Sequence, residues 1–175
     1  MILPRTISKK GFTLIELLVA LTIITILAVA VYAALNPAQR LSDAKNARRV
    51  ADISEILTAI HQSVVDSKGT FPTNFPAAGT VKQLGTGDAT TCPDTTVGTD
   101  LDTQCTGVTA GCFNLMADAA QDLIPYLASM PIDPGGTAVD ADAEETGYAV
   151  SKDINGIVTI KACHADGTSP ITVSR

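Results

Sequence analysis

A single apolar run near the amino terminus constrains this chain more than any other feature. From Phe12 to Leu35 there are 24 residues, and Glu16 is the only charged residue among them. As a helix this run would be roughly 36 Å long, which is enough to cross a hydrocarbon core of about 30 Å. A carboxylate inside such a span costs about 2.5–3.5 kcal/mol on insertion scales. Glu16 therefore needs a physical reason to be there.

The residues at the start of the run form a specific signal. Lys9-Lys10-Gly11-Phe12-Thr13-Leu14-Ile15-Glu16 resembles the class III signal of type IV pilins and of type II secretion pseudopilins. The resemblance implies that a prepilin peptidase cuts between Gly11 and Phe12 and that Phe12 is then N-methylated. It also implies an assembly role for Glu16, whose carboxylate would neutralise the terminal ammonium of Phe12 in a neighbouring subunit. Opposite charges attract strongly in a low dielectric, and each removes the other's reason to avoid lipid.

The rest of the chain is expected to continue this helix and then form one small domain. Residues 1–11 are the leader, residues 12–35 the transmembrane or fibre-core helix, residues 36–66 its amphipathic continuation, and residues 67–175 an extracytoplasmic α+β domain. Pro37 lacks a backbone donor and predicts a kink. The stripe predicted to face the domain comprises apolar residues at spacings of three and four, namely Leu41, Ala44, Ala47, Val50, Ile53, Leu57, Ile60 and Val64.

The expected fold class is α+β, a type IV pilin-like fold in which a long kinked N-terminal helix packs on a small antiparallel sheet of about three strands. Residues 148–151 and 157–163 are rich in strand formers and flank Asn155-Gly156, a strong hairpin signal. Residues 170–174 are expected to add an edge strand. A short helix is predicted within residues 113–130, whereas residues 74–111 show no convincing period.

Four cysteines are expected to form two disulfides, because an even number in an extracytoplasmic domain indicates a disulfide framework. The predicted pairing joins Cys92 to Cys105 within the loop and Cys112 to Cys163 between the loop and the sheet, and the other two connectivities stay open. A cross-link of this kind contributes about 3 kcal/mol for a loop of roughly 15 residues. A metal site with His164 beside Cys163 is the rival interpretation, which the spacing disfavours because it makes no pair of CxxC knuckles.

An acidic cluster is the weak candidate for a cation site. Asp140, Asp142, Glu144 and Glu145 supply hard oxygen ligands of the kind that Ca²⁺ prefers. The resemblance adds that major pseudopilins carry calcium in the loop before their last strands. This chain departs from their pattern, since it lacks the aromatic-glycine run after the Asp-Pro pair, and it does not match an EF-hand loop. A solvated acidic turn, with no metal or other cofactor, is therefore expected.

Charge and motif content exclude several function classes. The net charge is −6, and loss of Arg5, Lys9 and Lys10 with the leader leaves 9 basic against 18 acidic side chains. Nucleic-acid surfaces need clustered Lys and Arg, so no nucleic-acid partner is expected. His61 and His164 have no evident catalytic partner, and the chain has neither a phosphate-binding loop nor a nucleophile elbow. We therefore expect no enzymatic activity.

Taken with the resemblance, the sequence predicts the structural subunit of a type IV pilus-like surface fibre. Before assembly, the chain would be anchored in the inner membrane as a single-pass protein with its amino terminus on the cytoplasmic side. An assembly platform with a separate ATPase would then extract it into a helical fibre of identical or related subunits. Alternatives are a type II secretion pseudopilin, favoured by the Phe71-Pro72 and Asp133-Pro134 turns, a DNA-uptake fibre, and a bitopic membrane protein that displays a small binding domain without polymerising. An ordinary secretory signal cut after Ala30 is disfavoured because its apolar segment would be too long.

Overall fold

Two consecutive helices form the amino-terminal part of the chain. In the computed structural model, α1 spans Leu14–Leu35 and α2 spans Pro37–Asp66. Asn36 separates them with a left-handed backbone, φ 39° and ψ 72°, and Pro37 occupies the first position of α2, where its missing N–H is not needed. The predicted break at Asn36-Pro37 is therefore confirmed. The structure describes residues 11–72, 74–88, 92, 105, 107–116, 123–135, 142–167 and 170–175.

The chain divides into two compact units, with the boundary between Leu41 and Ser42. In the first unit, α1 is apolar around its whole circumference, and none of its residues is buried. The described residues contain one helical stretch, Leu14–Asp66, that is long and apolar enough to cross a membrane by length and composition. A helix that is apolar on every side belongs in a core or in a membrane.

In the second unit, α2 packs on the sheet along a face that was only partly predicted. The predicted stripe is confirmed at Ile53, Leu57 and Ile60. It is wrong for its first four residues, which are exposed, namely Leu41, Ala44, Ala47 and Val50. Each step of three residues falls short of a full turn by about 60°, so repeated steps of three move around the helix to its other side. The buried residues of α2 are Arg49, Ile53, Ile56, Leu57, Ala59, Ile60 and Ser63.

The sheet has four strands in the described part of the chain, and the predicted α+β fold class is confirmed. The strands are antiparallel to their neighbours in the order β1-β2-β3-β4, with bounds Val81–Gln83, Tyr148–Lys152, Val158–Ala162 and Ile171–Ser174. Strands β2, β3 and β4 agree with the prediction, as does the hairpin turn at Asn155-Gly156 between β2 and β3. The additional strand β1 lies in the region that was predicted to lack structure. Three residues are too few to show a period, and β1 is defined by its pairing with β2.

The core lies between α2 and the sheet. Ile56 and Ile60 from α2 meet Tyr148, Val150 and Ile160 from β2 and β3 in one buried cluster. The loops add further buried apolar side chains, namely Leu84, Phe113, Leu115, Leu123 and Leu127. The predicted short helix is not found where the structure describes residues 113–130. Residues 117–122 lie outside that description, and Leu123–Tyr126 forms a turn in which the Tyr126 N–H donates to the Leu123 carbonyl at 2.9 Å.

The two disulfides join Cys92 to Cys112 and Cys105 to Cys163, with Cα–Cα distances of 5.5 Å and 5.0 Å. The predicted pairing of Cys92 with Cys105 and of Cys112 with Cys163 is therefore wrong. A backbone hydrogen bond places Cys112 beside Cys92. The Gly111 N–H donates to the Cys92 carbonyl at 2.8 Å, and Cys112 is the residue after Gly111. Cys163 directly follows β3 and packs with Cys105 and Val108 in a small buried cluster.

We expect peptide mapping without reduction to recover these two pairs. Cleavage before Asp100 or Asp102 separates Cys92 from Cys105, and thermolysin cleavage before Val108 separates Cys105 from Cys112. The fragment with Cys92 should remain linked to the fragment with Cys112 until a reductant is added. A fragment that joins Cys92 to Cys105 would contradict the observed fold of this loop.

Candidate functional site

The amino-terminal end of α1 is closed by a capping box between Thr13 and Glu16. Thr13 is the N-cap residue, with an extended backbone, and its Oγ1 accepts a hydrogen bond from the Glu16 N–H at 3.3 Å. In return, Glu16 Oε2 accepts from the Thr13 N–H at 2.9 Å and from the Thr13 hydroxyl at 2.8 Å. The box satisfies helix-end donors from both directions. It also turns the Glu16 carboxylate back toward the start of the helix, where the helix dipole favours negative charge.

The capping box has a sequence signal that the prediction did not use. Thr13-Leu14-Ile15-Glu16 matches the pattern of Ser or Thr followed three residues later by Glu. The predicted cleavage residues Gly11 and Phe12 lie directly before the box, in an exposed segment without helical structure. Cleavage after Gly11 and N-methylation of Phe12 stay predictions, as does the assembly role of Glu16.

Two hydroxyls within the apolar helix are satisfied inside α1 itself. Thr22 Oγ1 donates to the Val19 carbonyl at 2.8 Å, and Thr25 Oγ1 donates to the Thr22 carbonyl at 2.9 Å. Hydrogen bonds of this kind remove the cost of placing a hydroxyl in apolar surroundings. Glu16 is the one ionisable side chain of α1 before Tyr32, and its carboxylate accepts a hydrogen bond from the Thr13 hydroxyl.

A buried ion-pair cluster on α2 was missed by the sequence analysis. The Arg49 guanidinium donates to both carboxylate oxygens of Asp133, from Nε and from Nη2 at 2.8 Å each, and neither side chain is exposed. Arg49 Nη1 also donates to Asn46 Oδ1 at 2.8 Å and to Asp166 Oδ2 at 3.0 Å. Asn46 in turn bonds the Asp166 backbone in both directions, at 2.8 Å and 3.0 Å. The cluster ties two loops to one face of α2.

The electrostatics of this cluster keep Arg49 charged. Burial alone would lower the pKa of Arg49, but its hydrogen bonds to Asp133 and Asp166 outweigh burial and the net shift is upward. Paired, bidentate geometry is what allows a charge to be buried at all. The sequence did hold a signal for the burial of Arg49. Arg49 lies four residues before Ile53 and so falls on the same, buried side of α2.

Gly147 makes room for Asp133 beside β2. Its φ is +80°, and a Cβ there would lie 2.8 Å from Asp133 Cβ and 2.8 Å from His164 Nδ1. Any larger residue would push on the Arg49–Asp133 pair.

Both ring nitrogens of His164, and Nε2 of His61, are buried and have no hydrogen-bond partner among the described residues. The two histidines therefore sit in or beside the core.

The candidate calcium ligands are engaged in the turn before β2 where the structure describes them. Asp142 Oδ1 accepts from the Glu144 N–H at 2.8 Å and from the Glu145 N–H at 2.9 Å. Glu145 Oε1 accepts from Gln83 Nε2 at 3.0 Å, and burial raises the pKa of the Glu145 carboxyl. Asp140 lies outside the described residues. Within the described ranges, no three His, Cys, Asp or Glu side chains form a group that could hold a metal ion.

The comparisons with known proteins address the amino-terminal segment. The model of the prokaryotic N-terminal methylation motif matches residues 7–32, which include the predicted cleavage site, the capping box and most of α1. This chain carries the class III signal of type IV pilins and pseudopilins. The signal implies processing by a prepilin peptidase, and together with the apolar helix it indicates membrane anchoring. Neither the curated proteins nor the solved structures contain a match to this prepilin-like chain.

We expect the Arg49 cluster to be a main determinant of domain stability. Arg49→Met should lower the free energy of unfolding by about 3–5 kcal/mol, because it leaves the buried Asp133 carboxylate without its cation. Arg48→Met is the matched control: Arg48 is 64% exposed and 3.8 Å from Asp52, so its loss should cost no more than about 1 kcal/mol. Chemical denaturation of the full chain in mild detergent, followed by the near-ultraviolet circular dichroism of the tyrosines, measures both.

The double variant Arg49→Met with Asp133→Leu distinguishes the loss of a favourable ion pair from the cost of leaving a buried carboxylate without its cation. Removing both charges should recover much of the lost stability, because the carboxylate that still lacks its cation, Asp166, is 26% exposed and can be hydrated. If Arg49→Met costs no more than Arg48→Met, the cluster does not stabilise the domain.

Proposed function

We propose that this protein is the structural subunit of a type IV pilus-like surface fibre, processed after Gly11, N-methylated at Phe12 and polymerised through α1. One observation carries the proposal. The N-terminal methylation motif at residues 7–32 coincides with a 22-residue apolar helix in which no residue is buried. An apolar surface of that extent leaves water by entering lipid or by packing against other subunits.

The geometry around Glu16 supports polymerisation as the fate of this helix. A carboxylate has about four lone-pair sites, and the two hydrogen bonds from Thr13 both reach Oε2. Acceptor capacity therefore remains for an ammonium group. Cleavage after Gly11 would create such a group on Phe12, and a neighbouring subunit would bring it to Glu16 in surroundings where the attraction is strong.

The second unit supports a durable structural role outside the cytoplasm. Two disulfides tie the segment around residues 105–112 to the sheet and to residue 92. Disulfides persist in oxidising compartments. We propose that this α+β domain faces outward from the fibre, has no catalytic activity and needs no cofactor. Its partners would be identical or related subunits, the prepilin peptidase and an assembly platform with a separate ATPase.

A type II secretion pseudopilin is the second candidate. Its support comes from the turns that resemble those of pseudopilins. Phe71-Pro72 begins five residues after the end of α2 at Asp66, and the Asp133-Pro134 turn supplies the carboxylate that holds Arg49. Deleting the gene in its own host separates the two candidates, because loss of surface fibres supports the pilus and loss of secreted proteins with unchanged fibres supports the pseudopilus.

The polymerisation proposal is tested by Glu16→Ala in a host that assembles these fibres. We expect the yield of sheared fibre to fall at least about tenfold, since removing one partner of a buried ion pair costs about 3–5 kcal/mol and a tenfold change represents roughly 1.4 kcal/mol. The amount of subunit in the membrane fraction should stay the same. Glu55→Ala is the matched control, because Glu55 is an exposed glutamate on α2, and it should leave fibre yield unchanged.

If Glu16→Ala leaves the fibre yield unchanged, the assembly role of Glu16 fails. If the wild-type chain stays in the membrane and is absent from the sheared fibre fraction, the polymer proposal fails, and the chain is a bitopic membrane protein that displays its α+β domain.

A further inference from the structure

The outer end of α1 carries a residue that marks the edge of a bilayer. Tyr32 lies three residues before the end of α1 at Leu35 and is 70% exposed. Tyrosine concentrates at membrane–water interfaces, where its ring contacts lipid and its hydroxyl contacts water. Asn36 follows the end of the apolar segment directly. Tyr32 therefore fits the outer edge of the hydrocarbon region.

Counting back from Tyr32 places the amino-terminal end of the run at the opposite edge. A hydrocarbon core of about 30 Å corresponds to roughly 20 helical residues, which ends the span at Phe12. Lys9 and Lys10 precede that position in the sequence, as expected for residues at a headgroup layer. By the same count, the Cα atom of Glu16 lies only about 6 Å inside the inner edge.

The capping box moves the carboxylate of Glu16 further outward. Side chains on a helix point toward its amino terminus, and Glu16 Oε2 reaches both donors of Thr13. Thr13 is the next residue after Phe12, so the carboxylate lies close to the level of the inner edge rather than in the hydrocarbon interior.

We infer that the Glu16 carboxylate sits at the inner membrane–water interface while the subunit is anchored, with Thr13 and interfacial water as its partners. It enters apolar surroundings only when the subunit leaves the bilayer for a fibre. Glu16 is then tolerated in the anchored subunit without a neighbour, and its need for a cation begins at extraction. The interfacial placement rests on the membrane-anchored stage of the proposed function and does not require polymerisation, whereas the transfer into apolar surroundings does.

Depth-dependent fluorescence quenching tests this placement directly, because the chain has no tryptophan of its own. Phe12→Trp, Leu21→Trp and Tyr32→Trp report on the two ends and the middle of the run. The full chain is reconstituted in phosphatidylcholine vesicles whose acyl chains carry bromine at defined depths. Trp at positions 12 and 32 should be quenched best by the shallowest bromines, and Trp at position 21 should lie about 14 Å deeper. Deep quenching at position 12 would overturn the inference.

A second pair of variants tests Glu16 itself in the Tyr32→Trp background. Glu16→Ala should leave the depth of the tryptophan unchanged, because an interfacial carboxylate exerts no pull on the helix. Ala20→Glu combined with Glu16→Ala moves the acid one turn inward and should shift the helix by up to about 6 Å. A shift of the same size with Glu16→Ala alone would overturn the inference. These measurements use the monomer, so their outcome is independent of the fibre assay.

Discussion

The structure depends on one physical constraint: α1 presents an apolar surface on every side and buries none of it against the described part of its own chain. Apolar surface of that extent is removed from water by lipid or by other helices. The single ionisable residue at the start of this surface is held by Thr13 in a capping box. The same few residues thus close the helix and carry the charge that a partner subunit would neutralise.

The second unit depends on contacts that hold its loops to α2 and to the sheet. The Arg49–Asp133 pair is fully buried, and Asn46 extends the cluster to the loop that contains Asp166. A buried pair of this kind is costly to break and so fixes the position of both loops. The Cys105–Cys163 disulfide packs with Val108 and Ala149 in a second buried cluster, and the Cys92–Cys112 disulfide holds the other end of the same segment.

Long periodic features were predictable from the sequence, whereas features set by distant pairing were not. The apolar run, the break at Asn36-Pro37 and the hairpin at Asn155-Gly156 each arise from neighbouring residues, and each prediction holds. Strand β1 and the disulfide pairing depend on which segments lie side by side, and a spacing argument contains no such information. The buried position of Arg49 was missed because its partner Asp133 lies 84 residues away in the sequence.

Cleavage after Gly11 and N-methylation of Phe12 are tested most directly by mass spectrometry of the amino-terminal peptide. The chain is purified for this from membranes of a host that has a prepilin peptidase. We expect a chain that begins at Phe12 and carries one additional methyl group on its terminal nitrogen. A chain that keeps residues 1–11, or one that begins at Val31 after ordinary secretory cleavage, would contradict it.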